Sequence, residues 1–176
     1  MDLNDVKTIF RKALPMEEIS SNVARNRAVT VKHLVGSTVS LFVEALTEDN
    51  SQLLVLTSDE EAAKLLLSDL ESLGVQGTLF FPDLRLDPDD PERVVDTALL
   101  VQRSEALDRL SRARRFILVT SASAVMEKVA SADMFRDSVV DIRKGDRLEP
   151  HSLKEQLVRQ GYDIVGFVDE PGEVAV

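Results

Sequence analysis

Three short runs of uninterrupted apolar residues constrain this chain more than any other feature: "QLLVLT" at 52–57, "TLFF" at 78–81 and "FILVT" at 116–120. A strand with one wet face alternates apolar and polar side chains, so a run that is apolar on both parities needs cover on both faces. Segments with helical spacing lie between the runs. The first, at 58–74, opens with Ser58 as its cap and Glu61 as the capping-box partner, and closes at Gly74. The second is a long helix over 93–113, and a shorter one over 122–130 follows the last run. A further β-branched stretch, "VTVKHLV" at 29–35, reads as a strand leading into a helix over 37–47. Continuous strands alternating with helices predict an α/β fold, a parallel sheet with helices on both faces.

The ends of the chain follow a different rhythm. Apolar residues at 3, 6, 9, 10, 13 and 14 predict an amphipathic helix stopped before Pro15, and "PMEEISSNVARNRA" reads as a connection. From about residue 138, "SVVDIRKGDRL" reads as a strand and turn, and "EPHSLKEQLVRQ" as a helix ended at Gly161. "GYDIVGFVDEPGEVAV" supplies one or two strands, and "EPGEVAV" looks like the first half of a β-hairpin, so a longer parent chain is expected.

Composition removes several classes of function. With 21 basic and 31 acidic residues the formal charge is −10, which disfavours a nucleic-acid backbone as a direct partner and leaves a protein partner the better fit. The absence of cysteine excludes disulfides, thiolate catalysis and cysteine zinc sites. The two histidines, His33 and His151, have no carboxylates at a metal-ligand spacing, and His33 reads as a packed or edge residue of its strand. No apolar run approaches the roughly 20 residues of a membrane span, and the first residues lack a signal-peptide core. The chain reads as cytoplasmic.

The stretch "VTVKHLVGSTVSLFVEAL" has the layout of a phosphate-binding loop between a strand and a helix. Such a loop uses glycines to turn backbone amides toward phosphate, a lysine for charge and a hydroxyl for magnesium. With Gly36 as the second glycine, Val31 takes the place of the first, Ser37 that of the lysine, and Thr38 carries the hydroxyl. Serine cannot replace the cation. The usual acid at the end of a hydrophobic strand is also missing: "FILVTS" ends in hydroxyls, and Asp141 follows only two valines. Gly36 therefore reads as a turn glycine, with a working nucleotide site as the alternative.

Other candidates have plain structural readings. Asp83, Asp87, Asp89, Asp90 and Glu92, among prolines 82, 88 and 91, read as a solvated loop capping the next helix. Arg109, Arg112, Arg114 and Arg115 end the long helix, where cations complement its dipole. Ser121 and Ser123 lack the G-x-S-x-G context of a nucleophile and a nearby histidine. Tyr162 and Phe167 read as core of the last strands, and an exposed Phe167 is the alternative, a partner anchor.

In sequence order, "HLVGSTVSLFVEAL", "LLVLTSDEEAAKLLLSDL", "LFFPDLRLDPDD", "VVDTALLVQRSEALDRL", "RRFILVTSASAVMEKV" and "DIRKGDRLEPHSLKEQLVRQGYDIVGFVDEPGEVAV" resemble the amino-terminal module of the transcription-repair coupling factor family, Mfd. The "FPD" after the third strand and the final series carry most of the likeness. That module is similar to the first domains of the excision-repair subunit UvrB, which keep the glycine-lysine pair; Ser37 therefore favours Mfd over a UvrB-type nucleotide-dependent helicase domain. The resemblance implies an N-terminal helix and connection at 1–30, a degenerate RecA-like domain at 31–138, and a truncated second subdomain of UvrA-binding type at 139–176. It implies a non-catalytic module with no cofactor of its own. ATP and magnesium belong to the parent's downstream translocase. UvrA and the downstream domains of its own chain are the implied partners, with RNA polymerase and DNA engaged by the parent. Phe167, Gly172 and Glu173 are the implied partner-binding residues.

Overall fold

The computed structural model describes residues 2–47, 52–84, 96–140, 142–170 and 172–175. Its elements are α1 (Leu3–Ala13), α2 (Met16–Ala24), α3 (Thr38–Leu46), β1 (Gln52–Thr57), α4 (Glu60–Ser72), β2 (Thr78–Phe81), α5 (Thr97–Arg112), β3 (Phe116–Ser121), α6 (Ala122–Met126), α7 (Ala132–Ser138), α8 (Pro150–Arg159), β4 (Asp163–Ile164) and β5 (Glu173–Val174). They divide into two compact units, residues 1–128 and 129–176.

The first unit is an α/β layer structure. β1, β3 and β2 form a parallel sheet in that order, with Val119 of central β3 opposite both Val55 and Phe80. On one face Val43 of α3 and Ala63, Leu66 and Leu70 of α4 pack with Ile117 and Val119, joined by Leu53, Val55 and Phe80. On the other, Ala106 and Leu107 of α5 and Ala124 of α6 meet Phe81 and Leu118. Leu70 and Val119 are completely buried, each contributing about 1.5–3 kcal/mol. The continuous apolar runs thus become strands, because both parities find cover. β1 is the partial exception: Leu53 and Val55 face the core, while Leu54 and Leu56, on the opposite parity, stay more than half exposed.

Four local expectations are corrected. Residues 29–35 form no strand. A β-branched run needs a neighbouring edge to pair with, and this one is interrupted at exposed His33, which sits at φ 66. His33 is therefore neither packed nor at a sheet edge. Residues read as a connection contain α2; Pro15 starts it, Glu17 and Glu18 suit its amino end, and buried Ile19 anchors it. The cap of α4 is Asp59 rather than Ser58, its carboxylate accepting from the Ala62 amide at 2.8 Å. Those hydrogen bonds, with one from Ser58, hold the Asp59 carboxyl below its usual range. Likewise Asp96 caps α5, so the long helix starts later than residue 93. Asp87, Asp89, Asp90, Glu92 and Asp141 lie outside the described residues.

The second unit is small. Of the strand and turn expected at 138–148, the described residues show the turn, closed by Asp146 N–H donating to Arg143 O at 3.0 Å, and no strand; α7 ends at Ser138. Glu149 caps α8, and Gly161 ends it at φ 92. β4 and β5 run parallel, with Asp163 opposite Glu173 and Ile164 opposite Val174, so they are not the two arms of a hairpin. None of the described residues of this unit is buried.

Candidate functional site

In open α/β sheets, functional groups collect beyond the carboxyl ends of the strands, and there the first unit has a buried polar cluster. β2 delivers Phe81, Pro82 and Asp83, and α5 brings Arg103 across from the other side. Arg103 is 5% exposed. Its guanidinium lies 3.9 Å from the centre of the Phe81 ring and donates to the Pro82 carbonyl at 2.8 Å. It also pairs with Glu127, the residue after α6. Glu127 accepts from the Leu84 amide at 3.1 Å. Burial, followed by a hydrogen bond with Asp83, pushes the Glu127 carboxyl above its usual range. Burial lowers the Arg103 guanidinium, opposed by the charge of Glu127. One Arg103 nitrogen, Nη2, is buried without a hydrogen bond.

This cluster gives the "FPD" signature a physical cause. The phenylalanine supplies a π face for the cation, the proline carbonyl accepts from it, and the aspartate closes the ring through Glu127. The next strand end is tied in as well: Thr120 donates to the Phe81 carbonyl at 2.8 Å, and Thr57 donates to Thr120 O at 3.2 Å. Ser121 and Ser123 share a hydrogen bond of 3.0 Å, and Ser121 also accepts from the Ala124 amide as the cap of α6. These hydroxyls close the end of β3. The chemistry the cluster can perform is clamping: it fixes three chain segments against one another.

Sequence reasoning missed Arg103 and Glu127. The available signal was the spacing of α5, where Arg103 shares the buried face with Ala106 three residues on. An arginine on an apolar stripe calls for an anionic partner.

At the second candidate, Gly36 takes φ 57, the left-handed turn expected of it. Thr38 is turned inward: its hydroxyl donates to Val35 O and accepts from Val35 N–H, both at 2.7 Å, and its own amide donates to Val35 O at 3.3 Å. Ser37 makes no side-chain cap. The hydroxyl and first amide that a phosphate loop would present are engaged within the turn, and no strand leads into it.

The remaining candidates do not converge. Arg112 pairs with Asp108 at 2.9 Å, Arg115 donates to Thr47 O at 3.1 Å, Arg114 is exposed, and Arg109 lines a cavity of about 290 Å³ with Glu71 and Glu105. His151 is exposed beside Glu155 on α8. In the second unit Phe167 is 77% exposed and Tyr162 40%, so neither is core. Glu173 accepts from the Asp169 and Glu170 amides at 2.8 and 3.1 Å, which holds its carboxyl below the usual range, and Gly172 turns at φ 100. Among the described residues, no three metal-ligating side chains cluster, and no helix is long and apolar enough to cross a membrane.

No family model matches the chain. It is similar to three curated proteins named transcription-repair-coupling factor. That of Haemophilus influenzae is 31% identical over 141 residues, covering 78% of this chain and 12% of the relative. That of Bacillus subtilis is 28% identical over 145 residues, 81% of this chain and 12% of the relative. That of Myxococcus xanthus is 35% identical over 131 residues, 70% and 11% respectively. The chain thus spans about an eighth of the relatives it matches.

Proposed function

Taking this chain as a homologue of a fragment of transcription-repair-coupling factors, we propose that it is a non-catalytic interaction module of transcription-coupled nucleotide excision repair. It acts in the cytoplasm, recruiting UvrA to lesions where RNA polymerase has stalled. Polymerase, DNA, ATP and magnesium are the business of the longer parent, whose downstream domains are this module's other partners.

The observation that carries the reading is the second unit. Tyr162, Ile164, Phe167 and Val168 all stand at least 40% exposed within seven residues of one another, in a unit none of whose described residues is buried. Apolar surface gathered on so small a body is the mark of a protein-binding face. The turn at Gly172, braced by Glu173, holds the chain beside it. On the first unit, Ser37 in place of a lysine and the inward Thr38 hydroxyl support a module without nucleotide chemistry.

Capture of purified UvrA by the immobilised chain, and by one extended into the parent, tests the proposal. Retention by either supports it, and retention by neither overturns it. Micromolar ATP binding that is lost on Gly36→Val would overturn the non-catalytic assignment.

A further inference from the structure

We propose that α1 is a releasable cap held on the first unit by an ionic latch, opening by itself while the sheet stays folded. α1 buries none of its residues, and Leu3 and Ile9 are 45% and 58% exposed. Val6 and Phe10 are half-buried, and the polar ties that fix the helix are made by charge. Lys7 and Arg11, one turn apart, converge on the same oxygen of Glu44 at 3.2 and 2.9 Å. Glu44 is buried on α3, at 7% exposure, and its other oxygen, Oε2, has no hydrogen bond. Lys7 also donates to Leu73 O at the end of α4, at 2.7 Å. A single lysine thus ties α1 to two helices of the unit.

Three features make this contact separable. The helix satisfies its own amino end through a reciprocal capping box between Asp2 and Asp5, and Arg11 and Lys12 complement its carboxyl end, so its caps need nothing from the sheet. A cavity of about 520 Å³ lies between Lys7 and Arg11 on one side and Gly74, Gly77 and Phe116 on the other, so the helix stands off from the sheet end there. Opening lets Glu44 and both cations hydrate together, which avoids the stranded charge left when one partner of a buried pair is deleted. The other helices of the unit are held by apolar burial, which salt does not screen. The α1 contact is screened in part, from the sides of Lys7 and Arg11 that reach solvent, 18% and 28% exposed.

Hydrogen exchange followed residue by residue on the intact chain tests this. Raising NaCl from about 0.05 M to about 1 M, which shortens the Debye length severalfold, accelerates exchange of the α1 amides about threefold and leaves those of β3 unchanged. The double variant Lys7→Met/Arg11→Met exchanges at α1 at least about tenfold faster at low salt, because Glu44 is then buried without a cation whenever α1 is closed, and salt accelerates it no further. The β3 amides report global folding in both arms. Protection of α1 that ignores both salt and the double variant overturns the latch. So does loss of protection at α1 and β3 in step, because the helix would then be part of the global unit.

Discussion

The two units use similar residues to opposite ends. In the first, apolar side chains on both faces of a three-stranded sheet reach complete burial, and a charged cluster is buried with them. In the second, two short strands and two helices bury none of their described residues, and Ile164, Phe167 and Val168 stand well exposed. Residues 129–176, taken by themselves, bring too few apolar side chains together to close a core. The difference separates a unit that closes its own core from one that leaves apolar area exposed, and the proposed division into scaffold and contact surface rests on it.

The sharpest way to break this comparison is to unpair the buried charges of the first unit. Arg103→Met leaves Glu127 beside Asp83 without its cation and is expected to cost about 3–5 kcal/mol, the penalty for an uncompensated buried charge. Urea unfolding read on the first unit checks it. A loss below 1 kcal/mol would mean the cluster is hydrated and that the clamp is not what holds the "FPD" turn. Next comes a matched pair of truncations. Leu70→Ala, at a completely buried site, is expected to cost about 2–5 kcal/mol. Ile164→Ala, half exposed on β4, is expected to fall within about 0.5 kcal/mol of zero. Equal losses would show that the second unit has a core after all.

Acidification sharpens the contrast between two particular carboxyls, Glu127 of the first unit and Glu173 of the second, which are shifted in opposite directions. Glu127 is raised above its ordinary 4.5, so the folded state keeps a proton that the unfolded chain has already lost. Its contribution therefore falls as pH climbs through the window above 4.5, and is recovered on acidification toward that value. Glu173 is lowered below 4.5 by the Asp169 and Glu170 amides. Its contribution is present above 4.5 and is lost as pH falls through its folded-state value. NMR titration of the two side-chain carboxyls checks both signs, and shifts in the same direction would contradict the assignment.

Much of the first unit was legible in the sequence because its signals are local. The runs at 52–57, 78–81 and 116–120 appear as strands within a residue of where they were read, and Gly36 and Gly74 turn as expected. What was not legible depends on distant partners. The stretch 29–35 has strand composition, yet composition does not say whether an edge is available to pair with. Arg103 and Glu127 are 24 residues apart, and neither reads as special alone. At Thr38 the chemistry of the residue was right for a phosphate loop, and the direction of its hydroxyl, fixed by Val35, was invisible. In the second unit the apolar pattern of "YDIVGFV" was the same as that of a core strand, and only the exposure of Tyr162, Ile164, Phe167 and Val168 separates the two cases.

The smallest expected effect on stability is also the one most informative about function. Phe167 stands 77% exposed at a bend after β4, so Phe167→Ala removes almost no buried area and should change unfolding free energy by less than about 0.5 kcal/mol. If the second unit is the contact surface, the same substitution removes an aromatic anchor, and capture of UvrA should weaken by at least tenfold, the scale of about 1.4 kcal/mol or more expected of such a side chain at an interface. Running both measurements on one preparation separates the two roles of an apolar residue. Weakened capture with unchanged stability places Phe167 at the interface. Lost stability would mean that it packs against the chain itself, and the division into scaffold and contact surface would fail at the residue where it is most exposed.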